Sequence, residues 1–128
     1  MMTLKPSAVA LLRRVARRIV RMPETFDMGD FLVHDPTARA SKKRRVPYCG
    51  TVACIAGHIV LDGRKQLPHR WSNFERLAAD RLGLSRHETI PLFFENSWPT
   101  QFRGRTSTPN RAASRAAARI EHFIRTGK

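Results

Sequence analysis

The chain has 128 residues, with 24 Lys+Arg against ten Asp+Glu for a net charge of +14, 41% hydrophobic residues and two cysteines. That length suits one domain burying roughly two-thirds of its unfolded surface, and the apolar content excludes wholesale disorder. No apolar run approaches the ~20 residues that cross a bilayer, and arginines interrupt the N-terminal apolar segment too often for a signal peptide.

Two cysteines are too few for a disulfide framework, so a cytoplasmic protein with reduced thiols is expected. Nineteen of the 24 basic residues are arginine. The planar guanidinium fork suits phosphate oxygens and base edges, and an excess of this size favours polyanions, nucleic acid first. Arginine codon bias in a high-GC genome is the bland alternative.

Residues 7–22 read as the first helix, with Ser7 as N-cap and Ala8, Leu12, Val15, Ile19 and Met22 recurring at three- and four-residue steps. Arg13, Arg17 and Arg21 form one i, i+4 row, and Arg14 and Arg18 a second beside it. Like charges at that spacing repel by a few tenths of a kcal/mol per pair. A solvated face, a phosphate- or partner-binding face and a membrane-surface helix are the three readings of these rows. Pro23 ends the helix.

Residues 26–33 predict a short helix or turn that packs Phe26, Phe31 and Leu32 on the core. From His34 to Pro47 the composition turns basic, with Lys42, Lys43, Arg44 and Arg45 in a segment expected to be mobile until it meets nucleic acid. A solvated loop insertion is its alternative. A central helix is expected from about Thr51 to Leu61, capped by Thr51 and ended by Gly63. Its small residues Ala53, Ala56 and Gly57 suit close helix approach.

Ser72 with Glu75 and Ser85 with Glu88 form two capping boxes separated by Gly83, which predicts a helix to about Leu82 and another that ends near Phe94 because of Pro91. The second helix turns apolar after its first turn. This helix-turn-helix is therefore expected to pack in the core rather than read DNA. Trp98-Pro99 and Phe102 make an aromatic loop. Thr108 and Pro109 then open a last helix to about Thr126, with Arg111, Arg115 and Arg119 in a row opposite Ala113, Ala116, Ala117, Ile120, Phe123 and Ile124.

Cys54 and His58 share a helix face and, with Cys49 and one of His34, His69 or His122, have the makings of an irregular zinc site. Buried structural thiols are the preferred reading, with no metal and no cofactor, and Cys49 is the more reactive candidate of the two. No nucleophile elbow, phosphate loop, Cys-x-x-Cys or HExxH occurs, and no residue is assigned a catalytic role.

The string Cys-Gly-Thr-x-x-Cys-x-Ala-Gly at 49–57 resembles a hallmark of small bacterial and phage proteins that have no established activity. The resemblance extends through Phe26-Asp27-Met28-Gly29, Leu82-Gly83-Leu84-Ser85 with Glu88, Leu92-Phe93, Trp98-Pro99, Phe102 and Arg119 to Ile124. Such proteins often carry tryptophan where this chain has His58, which speaks against a metal site built on His58. The resemblance implies a bacterial or phage origin, and action on host machinery by association with that origin.

The sequence therefore predicts a single all-α domain of five or six helices, its 51–61 helix central and flanked by the first and last long ones. The leading function is nucleic-acid binding through Arg13, Arg14, Arg17, Arg18, Arg21, Lys42, Lys43, Arg44, Arg45, Arg111, Arg115 and Arg119, with DNA and RNA both open. The rival is a protein-binding inhibitor or adaptor, for example an anti-defence factor acting on a host nuclease complex. Its aromatic anchors would be Trp71, Trp98 and Phe102.

Overall fold

A computed structural model describes residues 4–26, 28, 33–34, 51–52, 54–63, 74–103 and 108–128. The fold is all-α, with five helices among the described residues: α1 (Pro6–Arg21), α2 (Ile55–Leu61), α3 (Phe74–Leu82), α4 (Arg86–Phe93) and α5 (Pro109–Thr126). Three single-turn 3-10 helices lie at Pro23–Thr25, Glu95–Ser97 and Thr100–Phe102. Two residues of β1 (Val33–His34) pair antiparallel with β2 (Thr51–Val52), Val33 opposite Val52 and His34 opposite Thr51. Among the described residues no helix is long and apolar enough to cross a membrane.

Helix α1 begins one residue before the expected Ser7 cap. Pro6 takes the first position and Lys5 the N-cap, with no side-chain cap. Proline lacks the N–H that would be orphaned there and its φ is already helical, so no cap is needed to start the helix. Ala8, Leu11, Leu12, Val15 and Ile19 are buried, and burial of each large side chain contributes roughly 2 kcal/mol.

The central helix is shorter than Thr51–Leu61. Thr51 belongs to β2, and Cys54 occupies the N-cap position in extended conformation. Pairing with Val33 and His34 satisfies backbone groups there that a helix would otherwise have used. All seven residues of α2 are buried, Gly57 and His58 included. Asp62 follows as C-cap, and Gly63 takes a left-handed φ of +77°, a conformation strained for any other residue.

Of the two long helices expected to flank α2, α1 rests against it, while α5 packs chiefly on α1. The largest helix interface joins α1 to α5, whereas α2 rests chiefly on α3 and then on α1. Small side chains at Ala56, Ala78 and Ala79, all buried, accompany the α2–α3 contact.

Helix α3 buries Phe74, Ala78, Ala79 and Leu82. Its first capping box falls on Ser72, outside the described residues. At its other end Gly83 has φ +69°, and Leu84 N–H closes back on the Ala79 carbonyl. The second box is complete: Ser85 Oγ accepts from Glu88 N–H, and the Glu88 carboxylate accepts from Ser85 N–H. Helix α4 carries Pro91 in its interior and ends at Phe93, with Thr89, Leu92 and Phe93 buried. Core packing is its role.

Helix α5 starts as expected, Thr108 Oγ1 accepting from Arg111 N–H and Pro109 in the first turn, and it closes on Gly127 at φ +72°. Ala113, Ala116, Ile120 and Phe123 join the residues from α1 to α4 and Trp98 in one apolar cluster.

Candidate nucleic-acid interface on the first helix

The arginines sort by what lies next to them. Arg14 and Arg18 reach across to Asp62, Arg14 Nη2 donating to Oδ2 at 3.0 Å and Arg18 Nη2 to Oδ1 at 2.5 Å. Arg81 of α3 stands 3.8 Å from the same carboxylate and donates to the Ile59 and Asp62 carbonyls at the C-terminus of α2. Those carbonyls have no partner inside the helix, so a guanidinium there satisfies both hydrogen bonding and the helix dipole.

Asp62, 6% exposed, thus ties α1, α2 and α3 together. Burial pushes its carboxyl pKa up, but hydrogen bonds from Arg14 and Arg18, with their charges, outweigh that and hold it below the usual range. The Arg14/Arg18 row, offered by the sequence as a phosphate grip, is therefore largely spent on an internal carboxylate.

Arg119 is a correction. It is fully buried, not part of an exposed row, because the 100–103 turn and the end of α5 cover it. Its Nη2 donates to the Pro91 carbonyl at 2.7 Å and the Lys128 backbone oxygen at 2.6 Å, and Nη1 donates to His122 Nδ1 at 3.3 Å. The Phe102 and Phe123 rings lie 5.8 and 5.9 Å from its guanidinium carbon. Burial lowers its pKa to about 10, which leaves it charged at neutral pH. It holds α4 to α5 and cannot reach a phosphate.

Arg115 is half-buried and donates to the Arg103 carbonyl, and Arg111 stands exposed one turn before it. This row leans toward the 100–103 turn. The side of α5 that meets α1 is the one carrying Ala117 and Glu121. The arginines of the two long helices do not converge on one face.

What remains open on α1 is the row Arg13, Arg17 and Arg21. Each is exposed, at steps of about 6 Å along the helix axis. Arg13 pairs with Glu121 of α5 at 3.0 Å, both near half exposure, and that contact holds the Glu121 carboxyl below its usual range. Arg17 and Arg21 have no carboxylate partner among the described residues. Arg13 and Arg17 form a ridge between two open hollows. One, of about 610 Å³, is lined by Leu4, Pro6, Val9, Ala10 and Arg14 as well. The other, of about 520 Å³, lies between α1 and α5 over Ala16, Val20 and Ala117.

Lys42, Lys43, Arg44 and Arg45 lie outside the described residues, as do Trp71 and Cys49. Trp98, offered as a protein-binding anchor, is a second correction. It is 3% exposed and its indole N–H donates to the Leu92 carbonyl at 2.8 Å, which fixes the turn after α4. Phe102 is half-buried against His122, ring centroids 5.3 Å apart, beside Arg119. The aromatic loop serves packing.

His58 turns its Nε2 to the Thr25 carbonyl at 2.8 Å. A carbonyl only accepts, so Nε2 carries the proton. Burial lowers the pKa of this imidazole to about 4, the Thr25 bond opposing and the Arg18 charge adding to the effect. His122, the other histidine with a described side chain suggested as a ligand, stands beside Arg119, Phe102 and Thr126. Among the described residues no group of three His, Cys, Asp or Glu could hold a metal ion.

Asp62 and Arg81 were missed from the sequence, where only Gly63, next to Asp62, is read as the helix stop. The signal that could have found Asp62 is its isolation, as the one acid between Asp35 and Glu75 in a chain crowded with arginine. Comparison with known protein families, with curated proteins and with solved structures returns no match to this chain.

Proposed function

We propose that this chain is a basic nucleic-acid-binding protein of bacterial or phage origin that takes hold of phosphates along the outer side of α1. The observation that carries the reading is the exposed row Arg13–Arg17–Arg21, in which Arg17 and Arg21 have no carboxylate partner among the described residues. Like charges four apart on a helix repel and give it no local stability in return. A polyanion laid along the row removes that repulsion and releases its own counterions.

The net charge of +14 supports the same reading, since it draws any polyanion in from a distance. The Lys42–Arg45 segment adds a second set of phosphate contacts in this proposal. Arg119 has no part in it, and Arg14 and Arg18 only a minor one.

A mobility-shift titration across salt tests the reading. If about five phosphates are engaged, log affinity for duplex DNA should fall with log salt at a slope near −4.5. The double variant Arg17→Ala, Arg21→Ala should bind more weakly and flatten that slope by about 1.8. Arg111→Ala, on the other side of α5, should change it less. Binding that is absent at low salt, or a slope unmoved by the double variant, sinks the proposal.

A further inference from the structure

We infer that the hollow between α1 and α5 seats an acidic amphipathic helix of a protein partner. Its floor is Ala16, Val20 and Ala117, and its rim is Arg13, Arg17 and Arg21 on one side with Glu121 on the other. Val20 is 48% exposed, the one large hydrophobic residue exposed among the described residues. A phosphate backbone makes no use of an apolar floor. The ligand that matches both parts has apolar side chains on one stripe and carboxylates beside it.

The dimensions agree. Arg13 to Arg21 spans eight residues, about 12 Å, or roughly two turns of a docked helix. Alanine at 16 and 117 leaves room for another backbone to come close. Glu121 is already engaged by Arg13 at 3.0 Å, so the cations that face an incoming carboxylate are Arg17 and Arg21. A second copy of this chain is the wrong occupant, because it would bring another +14 against the same rim. A membrane surface is wrong as well, since the main apolar face of α1 is buried in the core and, among the described residues, Val20 is the one exposed large hydrophobic left to insert. Complementary charge then speeds encounter and the apolar floor holds the complex.

The inference stands on the apolar floor and so apart from the nucleic-acid reading, but the two ligands share Arg17 and Arg21 and should compete. The test uses the full chain and two fluorescent sixteen-residue peptides of equal negative charge. One carries leucines at i, i+4 and i+7 among glutamates, and in the other glutamines replace the leucines. By anisotropy at physiological salt the leucine peptide should bind at least about tenfold more tightly, the equivalent of one well-buried apolar side chain. Val20→Ser, which removes the exposed methyls, and Ala117→Gln, which fills the floor, should each weaken the leucine peptide several-fold. Both should leave the affinity of the glutamine peptide unchanged, and an unaltered helical circular-dichroism spectrum checks that each variant folds.

Duplex DNA should displace the leucine peptide, while Val20→Ser should leave the DNA mobility shift intact. Equal affinity of the two peptides overturns the inference. So does indifference to both variants, or a concentration-dependent dimer that Val20→Ser abolishes. Loss of DNA binding in the wild type would instead strike the nucleic-acid reading alone.

Discussion

The sharpest prediction concerns His58 and acid. Its imidazole is 1% exposed in the middle of α2, held neutral by burial with a pKa of about 4, against 6.5 for the ordinary side chain. Between those values the unfolded chain binds a proton that the folded chain refuses. Stability is therefore complete above pH 6.5 and is lost as pH falls toward 4. Linkage over that interval gives a loss of about 2 kcal/mol by pH 5 and about 3 kcal/mol by pH 4.

Against a typical total of about 5–15 kcal/mol, this is enough to read directly from urea unfolding at pH 7.5, 6, 5 and 4.5. Asp62, Glu88 and Glu121 all have lowered pKa values, so their effects fall mainly below this window. His58→Gln keeps an amide N–H that can donate to the Thr25 carbonyl but does not titrate. It should be somewhat less stable at pH 7.5 and much flatter with pH. A wild-type loss under about 0.5 kcal/mol at pH 5, or an equal slope in His58→Gln, would refute the reasoning.

Asp62→Asn removes the charge that Arg14, Arg18 and Arg81 share, and should lower stability near neutral pH by about 2 kcal/mol in chemical denaturation. The acid limb below pH 4 should flatten in the same variant, because the depressed carboxyl pKa makes Asp62 a stabiliser that is lost on protonation. Arg119→Ala strips the Pro91 and Lys128 oxygens of their donor and opens a cavity. It should cost about 3 kcal/mol, yet leave the salt slope of nucleic-acid binding unchanged in any molecules that fold. Trp98→Phe loses the hydrogen bond to Leu92 and part of the ring volume, and should cost roughly 2 kcal/mol with no change in binding of partners.

Much of the fold was legible because it is written locally. The Ser85–Glu88 box, the Gly83 and Gly63 stops, the Thr108-Pro109 start and the apolar stripes of α1 and α5 each depend on residues within a turn or two. Where the signal needed a partner from far along the chain, it was misread. Thr51 has the chemistry of a cap, but backbone pairing with Val33 and His34 makes it strand. The Ser7 cap failed for a local reason instead, because Pro6 starts the helix one residue earlier.

The candidate site shows the same division more sharply. Arg13–Arg17–Arg21 and Arg111–Arg115–Arg119 are the same pattern on paper, three guanidiniums at four-residue steps. Periodicity determined that each set shares one face of a helix, and it did so by the sequence alone. Which face stays in water depended on what the rest of the chain lays over it. The 100–103 turn and the end of α5 bury Arg119 among carbonyls and aromatic rings. Asp62, 44 and 48 residues away in the chain, takes up Arg18 and Arg14. Only the tertiary structure could decide this, because desolvation and ion pairing act through space; on α1 they leave Arg17 and Arg21 exposed and without a carboxylate partner among the described residues.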